Sequence, residues 1–528
     1  MYTPLVVLEM MRREGSLRVG SEPPVTGDTD FERLRRDRVA LVLLAFAALV
    51  RICFLAEIVS HGVDLRPNFN IDCYRFDRVA RRIVAGDLLE RDRYEHSGRW
   101  PDEPGHPRAS GAIMVVGLER YDAEYGPYAY FDFPGYDYFV AFFYAVFGPA
   151  TSLVFVAQEA LDLVACALVY LIGLRVYDRA AARLALGLAA ANGPMLFHAG
   201  FLLRDSLIAA LIVVVVYLAL RTRDPGRGAA TWFVTGLAYG IAWVVKGTIV
   251  LLLPFLALEA LARGHGWLEG SKMTARRAAA FGAGALVAIA PFAARNVALG
   301  VPPLRMTTGD VSSLLVFNIP DGGVRGLTFD IPRARAAADR CTRLTSLEAL
   351  RVAVEEHGSV FALARQSARR AAEHWIADDP WDNVRVSYLT PCLRSLALAP
   401  VRWKLIEPFA VLGMALALAA WPRRAIVLGP VALTLIVAAA SSNVTRYRLS
   451  ADPFHALLAA SAIVWLFRAA RQRRRYAFPT ALGLVALSLA LHDSTPPPRP
   501  RQIASYVIGT FRPETARYLL ENLGADSP

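Results

Sequence analysis

The sequence predicts an all-α polytopic membrane protein, a bundle of about eleven transmembrane helices with two long outer loops that carry amphipathic helices. Three observations lead there. Hydrophobic residues make up 55% of the 528 positions and charged residues only 20%, against about 45–50% and 25% in a soluble globular chain. The apolar residues are gathered into runs near the length a bilayer requires. The connections between those runs are basic at every second position.

The runs read as spans near Val39–Val59, Thr151–Val176, Ala180–His198, Ser206–Leu220, Thr231–Val245, Ile249–Ala262, Ala278–Ala294, Leu405–Trp421, Ile426–Ala440, Pro453–Phe467 and Ala477–Leu491. Six basic clusters separate them: Arg33–Arg38, Arg175–Arg183, Arg221–Arg227, Arg263–Arg277, Arg423/Arg424 and Arg468–Arg475. With the spans in that order all six fall on one side, which the positive-inside rule makes cytoplasmic. These clusters account for most of the net charge of +12, so no nucleic-acid partner is needed to explain it. Five cysteines are too few to staple a chain of this length, and whether any outer pair is bridged is open.

The expected organisation follows. Residues 1–38 form a cytoplasmic tail with no signal-peptide pattern. Residues 39–467 form the main membrane module, residues 468–491 a last span, and residues 492–528 a Pro-rich outer tail. Inside the module, 60–134 and 295–404 are the long outer loops, and connections of that length usually carry function. In the first, Tyr74–Ala85 places Phe76, Val79, Ala80, Ile83 and Val84 on one face, a pattern expected of a helix lying on the membrane surface. Aromatic Gly135–Phe147 is too short to span and reads as interfacial. Ser346–Trp375 reads as one or two amphipathic helices.

Chemistry at the outer face would need a carboxylate able to take a proton and cations able to hold phosphate. Asp72, just ahead of the first amphipathic stretch, is the leading carboxylate, with helix N-cap as its alternative role. Arg204-Asp205 opens a span from the outer side, where an ion pair with a capped helix start is the alternative. Lys246, Arg295, Arg446 and Arg448 break the positive-inside pattern, and anionic phosphate is their natural partner; snorkelling or headgroup anchoring would also explain them. No metal-ligand spacing, dinucleotide fingerprint or phosphate loop is present, so neither cofactor nor metal is expected.

In their order along the chain these segments resemble the GT-C membrane glycosyltransferases, above all the polyprenyl-phosphate-sugar-dependent branch that includes protein O-mannosyltransferases and the aminoarabinose transferase of lipid A. Carrying the resemblance are Asp72-x-Tyr74 with Gly86-Asp87, Phe133-Pro134-Gly135-Tyr136, Leu203-Arg204-Asp205-Ser206-Leu207, Lys246-Gly247-Thr248, Pro291 through Arg295-Asn296 to Thr307-Thr308-Gly309, and Arg446-Tyr447-Arg448 with Pro453. The chain departs from that pattern in reducing a Pro-Pro ahead of the juxtamembrane helix to Asp132-Phe133-Pro134, and in an insertion around Arg91–Tyr125.

The resemblance implies a transferase that moves a sugar from a polyprenyl-phosphate donor to a hydroxyl acceptor on the outer face of the membrane, with inversion and general-base catalysis. It implies Asp72 and Asp205 as catalytic acids, Lys246, Arg295 or Arg448 at the lipid phosphate, and Tyr74, Arg204, Asn296 and Arg446 as substrate contacts. A bacterial plasma membrane is expected from the Ala/Arg/Leu-rich usage. A lipid-linked-sugar transporter or flippase, and a polysaccharide polymerase or ligase using a diphosphate-linked donor, are the competing readings.

Overall fold

In the computed structural model the described residues are 29–62, 71–91, 128–224, 228–261, 270–324, 330–343, 345–379, 382, 384–472, 477–491 and 498–523. The N-terminal tail before residue 29 and nearly all of the 91–125 insertion lie outside them. The described chain is helical, with no β-strand. Helices Arg38–Ser60, Thr151–Val176, Thr274–Ala298 and Asp452–Arg471 are each long and apolar enough to cross a membrane, and Ala229–Val245, Gly247–Leu261 and Ala425–Ala440 are shorter apolar helices.

The third expected span is not one helix. Its residues form helices Arg179–Ala190 and Gly193–Ala199, and the second turns by 119° into helix Arg204–Arg221. Asn192-Gly193-Pro194 causes the break. The Asn192 side chain caps the new helix by accepting from the Met195 amide at 3.0 Å, and Pro194 at the start of that helix has no amide to continue the old one.

Arg204–Arg221 packs on Ala229–Val245 and Thr151–Val176, and Asp452–Arg471 on Trp403–Ala419 and Arg179–Ala190. Helix Ala229–Val245 runs along Gly270–Ala298 at close range. A Cβ on Gly240 would stand 2.6 Å from the Ala285 carbonyl oxygen, and one on Gly236 would collide with the Phe281 carbonyl. Small residues let helix backbones approach this way where lipid gives no hydrophobic drive to association. Gly240→Leu is therefore expected to force the two helices apart and cost about 1–3 kcal/mol, read as a lower melting temperature in detergent.

The basic connections meet at one end of the bundle. Arg175 pairs with Asp30 at 2.8 Å and with Asp224 at 2.7 Å. Arg183 pairs with Asp37, Arg468 with Asp178, and Arg223 with Glu259. Arg223 also donates to the Arg423 carbonyl, and Arg277 to that of Ala260. Asp37 of the Arg33–Arg38 stretch and the Arg423 carbonyl are the acceptors in two of these contacts, so the six connections are joined at that end. Halfway along the first helix, buried Arg51 donates from Nε to Asp162 at 3.0 Å and from Nη1 to the Ala47 carbonyl at 2.9 Å. A charge at that depth needs such a partner.

Helix Ile71–Val84 differs from its expected setting. Of its apolar face, Phe76, Val79, Ala80 and Ile83 are buried, with helix Gly135–Phe147 packed against this helix, while Val84 stays exposed. The Phe76 and Tyr136 rings meet edge to face at 4.6 Å, and the Tyr144 hydroxyl donates to Asp77. An aromatic helix beside it offers better packing than headgroups do. Ser346–Trp375 forms two helices, Ser346–His357 and Val360–Ile376, separated by Gly358 in the left-handed conformation, which only glycine adopts at no cost. All five cysteines are free thiols.

The C-terminal segment is more than a tail. Helices Pro500–Thr510 and Pro513–Leu523 fold back onto the bundle. Tyr518 stacks on His61 at 4.5 Å, the Arg385 amide donates to the Tyr506 hydroxyl, and Asn522 donates to the Cys392 carbonyl. Ile503, Val507, Leu519 and Leu520 supply the apolar face that this docking buries.

Candidate active site

Asp72 sits in the first turn of helix Ile71–Val84. Its carboxylate accepts from Arg446 at 2.8 Å, across 374 residues of chain. Arg446 belongs to the short helix Thr445–Arg448 and is held from behind by Asp382: its amide donates to Oδ2 at 3.1 Å and its Nε lies 3.3 Å from Oδ1. Asp72 keeps 21% of its side-chain exposure, Asp382 only 1%. Asp382 thus acts as the buried anchor, and Asp72 is the more exposed of the two carboxylates.

Asp205 lies in the first turn of helix Arg204–Arg221, almost wholly buried, and accepts from Lys246 Nζ at 2.6 Å. Lys246 caps helix Ala229–Val245 and lies over the Tyr447 ring at 4.7 Å. Two glycines let this junction close. Gly135 meets the Val244 backbone so closely that a Cβ would stand 2.8 Å from it, and the Phe133 ring occupies the space a side chain on Gly247 would need. The two ion pairs form one centre: Lys246 Nζ and the Arg446 guanidinium lie 4.7 and 5.8 Å from the centroid of the same Tyr447 ring.

A third pair borders them. Arg204 contacts Asp132 at 2.6 Å, and Arg75 lies 3.7 Å from Asp132 and 3.3 Å from Asp137. The segment carrying Asp132 is pinned to the second long loop: the Thr308 and Gly309 amides and the Thr307 hydroxyl all donate to the Phe131 carbonyl. Burial opposes the Asp132 charge, but the Arg204 and Arg75 guanidiniums outweigh it and hold its pKa at about 2, below the ordinary 3.8. A depressed carboxylate stabilises the fold above its unfolded pKa and loses that contribution as pH falls through its folded pKa. Asp132→Asn is thus expected to cost about 2 kcal/mol at neutral pH. The difference in melting temperature from wild type should persist down to about pH 4 and close toward pH 2.

The other expected site residues make contacts of their own. Tyr74 is two positions beyond Asp72 on the same helix, which turns it to a different face. Arg295 donates to the carbonyls of Leu89, Glu90 and Tyr128 and to the Asn296 side chain, and lies 4.0 Å over the Tyr130 ring. Asn296 donates to the Pro302, Pro303 and Arg305 carbonyls. Both hold loop backbone at the end of helix Gly270–Ala298. Arg448 donates to the His374 and Ala377 carbonyls and lies 4.7 Å over Trp403.

Sequence reasoning passed over Asp132, Asp382 and Arg75. The acidic run Asp378, Asp379 and Asp382 in the second long loop is a signal the sequence offers. Among the described residues no group of three or more His, Cys, Asp or Glu side chains is placed to hold a metal ion.

Residues 132–294 match the family model described as dolichyl-phosphate-mannose-protein mannosyltransferase. That segment contains Asp132, Arg204, Asp205 and Lys246. No curated protein gave a significant match. Among solved structures, the oligosaccharyltransferase of Archaeoglobus fulgidus in the apo form aligns over 92% of this chain at 14% identity with a TM-score of 0.46. The chain spans 59% of that enzyme's length. The archaeal enzyme AglB, in complex with an inhibitory peptide and a dolichol-phosphate, aligns over 93% of this chain and 60% of its own at 14% identity and a TM-score of 0.45. ArnT from Cupriavidus metallidurans, bound to undecaprenyl phosphate, aligns over 91% of this chain and 84% of its own at 14% identity and a TM-score of 0.36. The resemblance to protein O-mannosyltransferases read from the motifs is thus matched over residues 132–294.

Proposed function

We propose, on the premise that residues 132–294 are those of a dolichyl-phosphate-mannose-protein mannosyltransferase-like segment, that this protein is a membrane glycosyltransferase. It takes a sugar from a polyprenyl-phosphate donor and places it on a hydroxyl acceptor at the outer face of a bacterial plasma membrane. The observation that carries the reading is the joined pair of ion pairs, Asp72–Arg446 and Asp205–Lys246, away from the gathered basic connections. If those connections face the cytoplasm, the centre faces outward, where a lipid-linked sugar is the available donor.

In this reading Lys246, with Arg204 and Arg446, receives the lipid phosphate by exchanging part of its contact with carboxylates. Arg295 and Arg448 spend their donors on backbone carbonyls, so they shape the loops around the centre. The cations stabilise the negative charge that grows as the lipid phosphate leaves. Asp72 takes the acceptor proton, and the hydroxyl attacks the anomeric carbon from the face opposite the phosphate, which inverts it. Asp205 orients Lys246.

The test uses the full chain in lipid nanodiscs with a panel of polyprenyl-phosphate sugars and a cell-envelope extract as acceptor. Release of free polyprenyl phosphate is expected. A transporter would move the lipid-linked sugar and release none, and a polymerase or ligase would require a diphosphate-linked donor.

A further inference from the structure

His198 belongs to the short helix Gly193–Ala199, at the sharp bend before Arg204–Arg221. It is 1% exposed, and neither ring nitrogen has a hydrogen-bond partner among the described residues. In either neutral tautomer the ring presents one N–H donor and one lone pair. Leaving such groups buried and unpaired costs about 1–3 kcal/mol each, so a fold that keeps them has another use for them.

The bend is built to hold the ring in place. Gln158 donates to the carbonyls of Ala199 and Phe201, both at 2.8 Å, and accepts from the Tyr136 hydroxyl at 2.7 Å. Phe197 and Phe201 lie 5.3 and 6.3 Å from the imidazole centroid. The charges of Asp205 and Arg446, and more weakly those of Asp379 and Asp452, act on the ring. The bend leads into the helix whose first turn carries Asp205, and through Gln158 it is tied to Tyr136, next to Gly135, which packs on the Val244 backbone two residues before Lys246. A buried imidazole without a partner among the described residues therefore sits at the junction that joins Asp205 and Lys246.

We infer that His198 is a contact residue for the donor head group, and that one ring N–H donates to an oxygen of the phosphate–sugar unit held by Lys246 and Arg446. The inference rests on the transferase reading and deepens it. Lys246 and Arg446 supply charge, which is tolerant of position. His198 supplies a directed hydrogen bond, which fixes where that oxygen sits before Asp72 acts.

The test measures binding of undecaprenyl phosphate, and separately of undecaprenyl-phosphate mannose, to the full chain in nanodiscs. His198→Phe is expected to weaken binding about tenfold, and His198→Gln, which keeps a donor, to restore most of it. Weakening with the lipid phosphate alone assigns the bond to phosphate; weakening only with the sugar present assigns it to the sugar. A ring-nitrogen resonance of 15N-histidine that shifts when lipid phosphate is added to wild type, and is missing from His198→Gln, needs no Phe variant to fold. Binding of both probes unchanged in both variants, with a silent resonance, overturns the inference and leaves the transferase reading standing. Wild type that binds neither probe removes both.

Discussion

Asp72→Asn is expected to slow release of polyprenyl phosphate about 10²–10⁴-fold while the protein still binds the lipid phosphate. The amide is almost the same shape but cannot accept the acceptor's proton. Arg446 keeps its contacts with Asp382, so the cation remains in place for the donor. Stability should change little, about 1 kcal/mol or less, because the Asp72 side chain is partly exposed. Initial rates set beside a melting curve and a lipid-phosphate binding isotherm separate these quantities. Turnover by Asp72→Asn at the wild-type rate would remove the general-base assignment. Loss of binding along with turnover would make Asp72 a structural partner of Arg446.

The second large effect is expected at Lys246. Lys246→Met leaves the Asp205 carboxylate nearly buried without its closest partner, which costs about 3–5 kcal/mol. The Arg446 and Arg204 guanidiniums, which also act on Asp205, keep the loss toward the lower end. Adding Asp205→Asn removes the stranded charge, so the double variant should recover much of the melting temperature. Binding of polyprenyl phosphate should stay lost in both. That combination, a restored fold with no donor binding, is one a merely structural ion pair would not produce. A double variant that melts and binds like wild type would show that Lys246 serves only to neutralise Asp205.

How legible each part was follows from the range of the interactions behind it. Helices Thr151–Val176 and Ala477–Leu491 stand where the apolar runs begin and end, because a helix in lipid must satisfy its own backbone and expose apolar side chains along its length. The left-handed break at Gly358 and the Asn192-capped break before Pro194 are equally local. The second lay in plain view as Asn-Gly-Pro inside a run counted as one span. The grouping of the basic connections was also readable from their alternation, and the pairs among Asp30, Arg175, Asp224, Asp178 and Arg468 gather the same clusters at one end.

The centre itself was legible as residue types and not as an arrangement. Asp72, Arg204, Asp205, Lys246 and Arg446 stood out because charged groups near membrane depth are costly without a purpose. Nothing near Asp72 in sequence names Arg446 as its partner, nothing near Arg295 shows its guanidinium turned to the Leu89 carbonyl, and nothing shows Asp382 behind Arg446. Hydropathy likewise separated an amphipathic helix at Ile71–Val84 but could not say whether membrane or protein would cover it; the aromatic helix Gly135–Phe147 does.

By itself, then, the sequence determined the helical class, the positions of most apolar helices, the shared end of the basic connections and the residue types available for chemistry. Each depends on a residue and its near neighbours in a solvent of fixed thickness. Only the tertiary structure decided which carboxylate meets which cation, where the C-terminal helices dock, and which of the cations are spent on backbone. Those outcomes depend on distances of a few ångströms between groups hundreds of residues apart, and they follow from how whole helices pack.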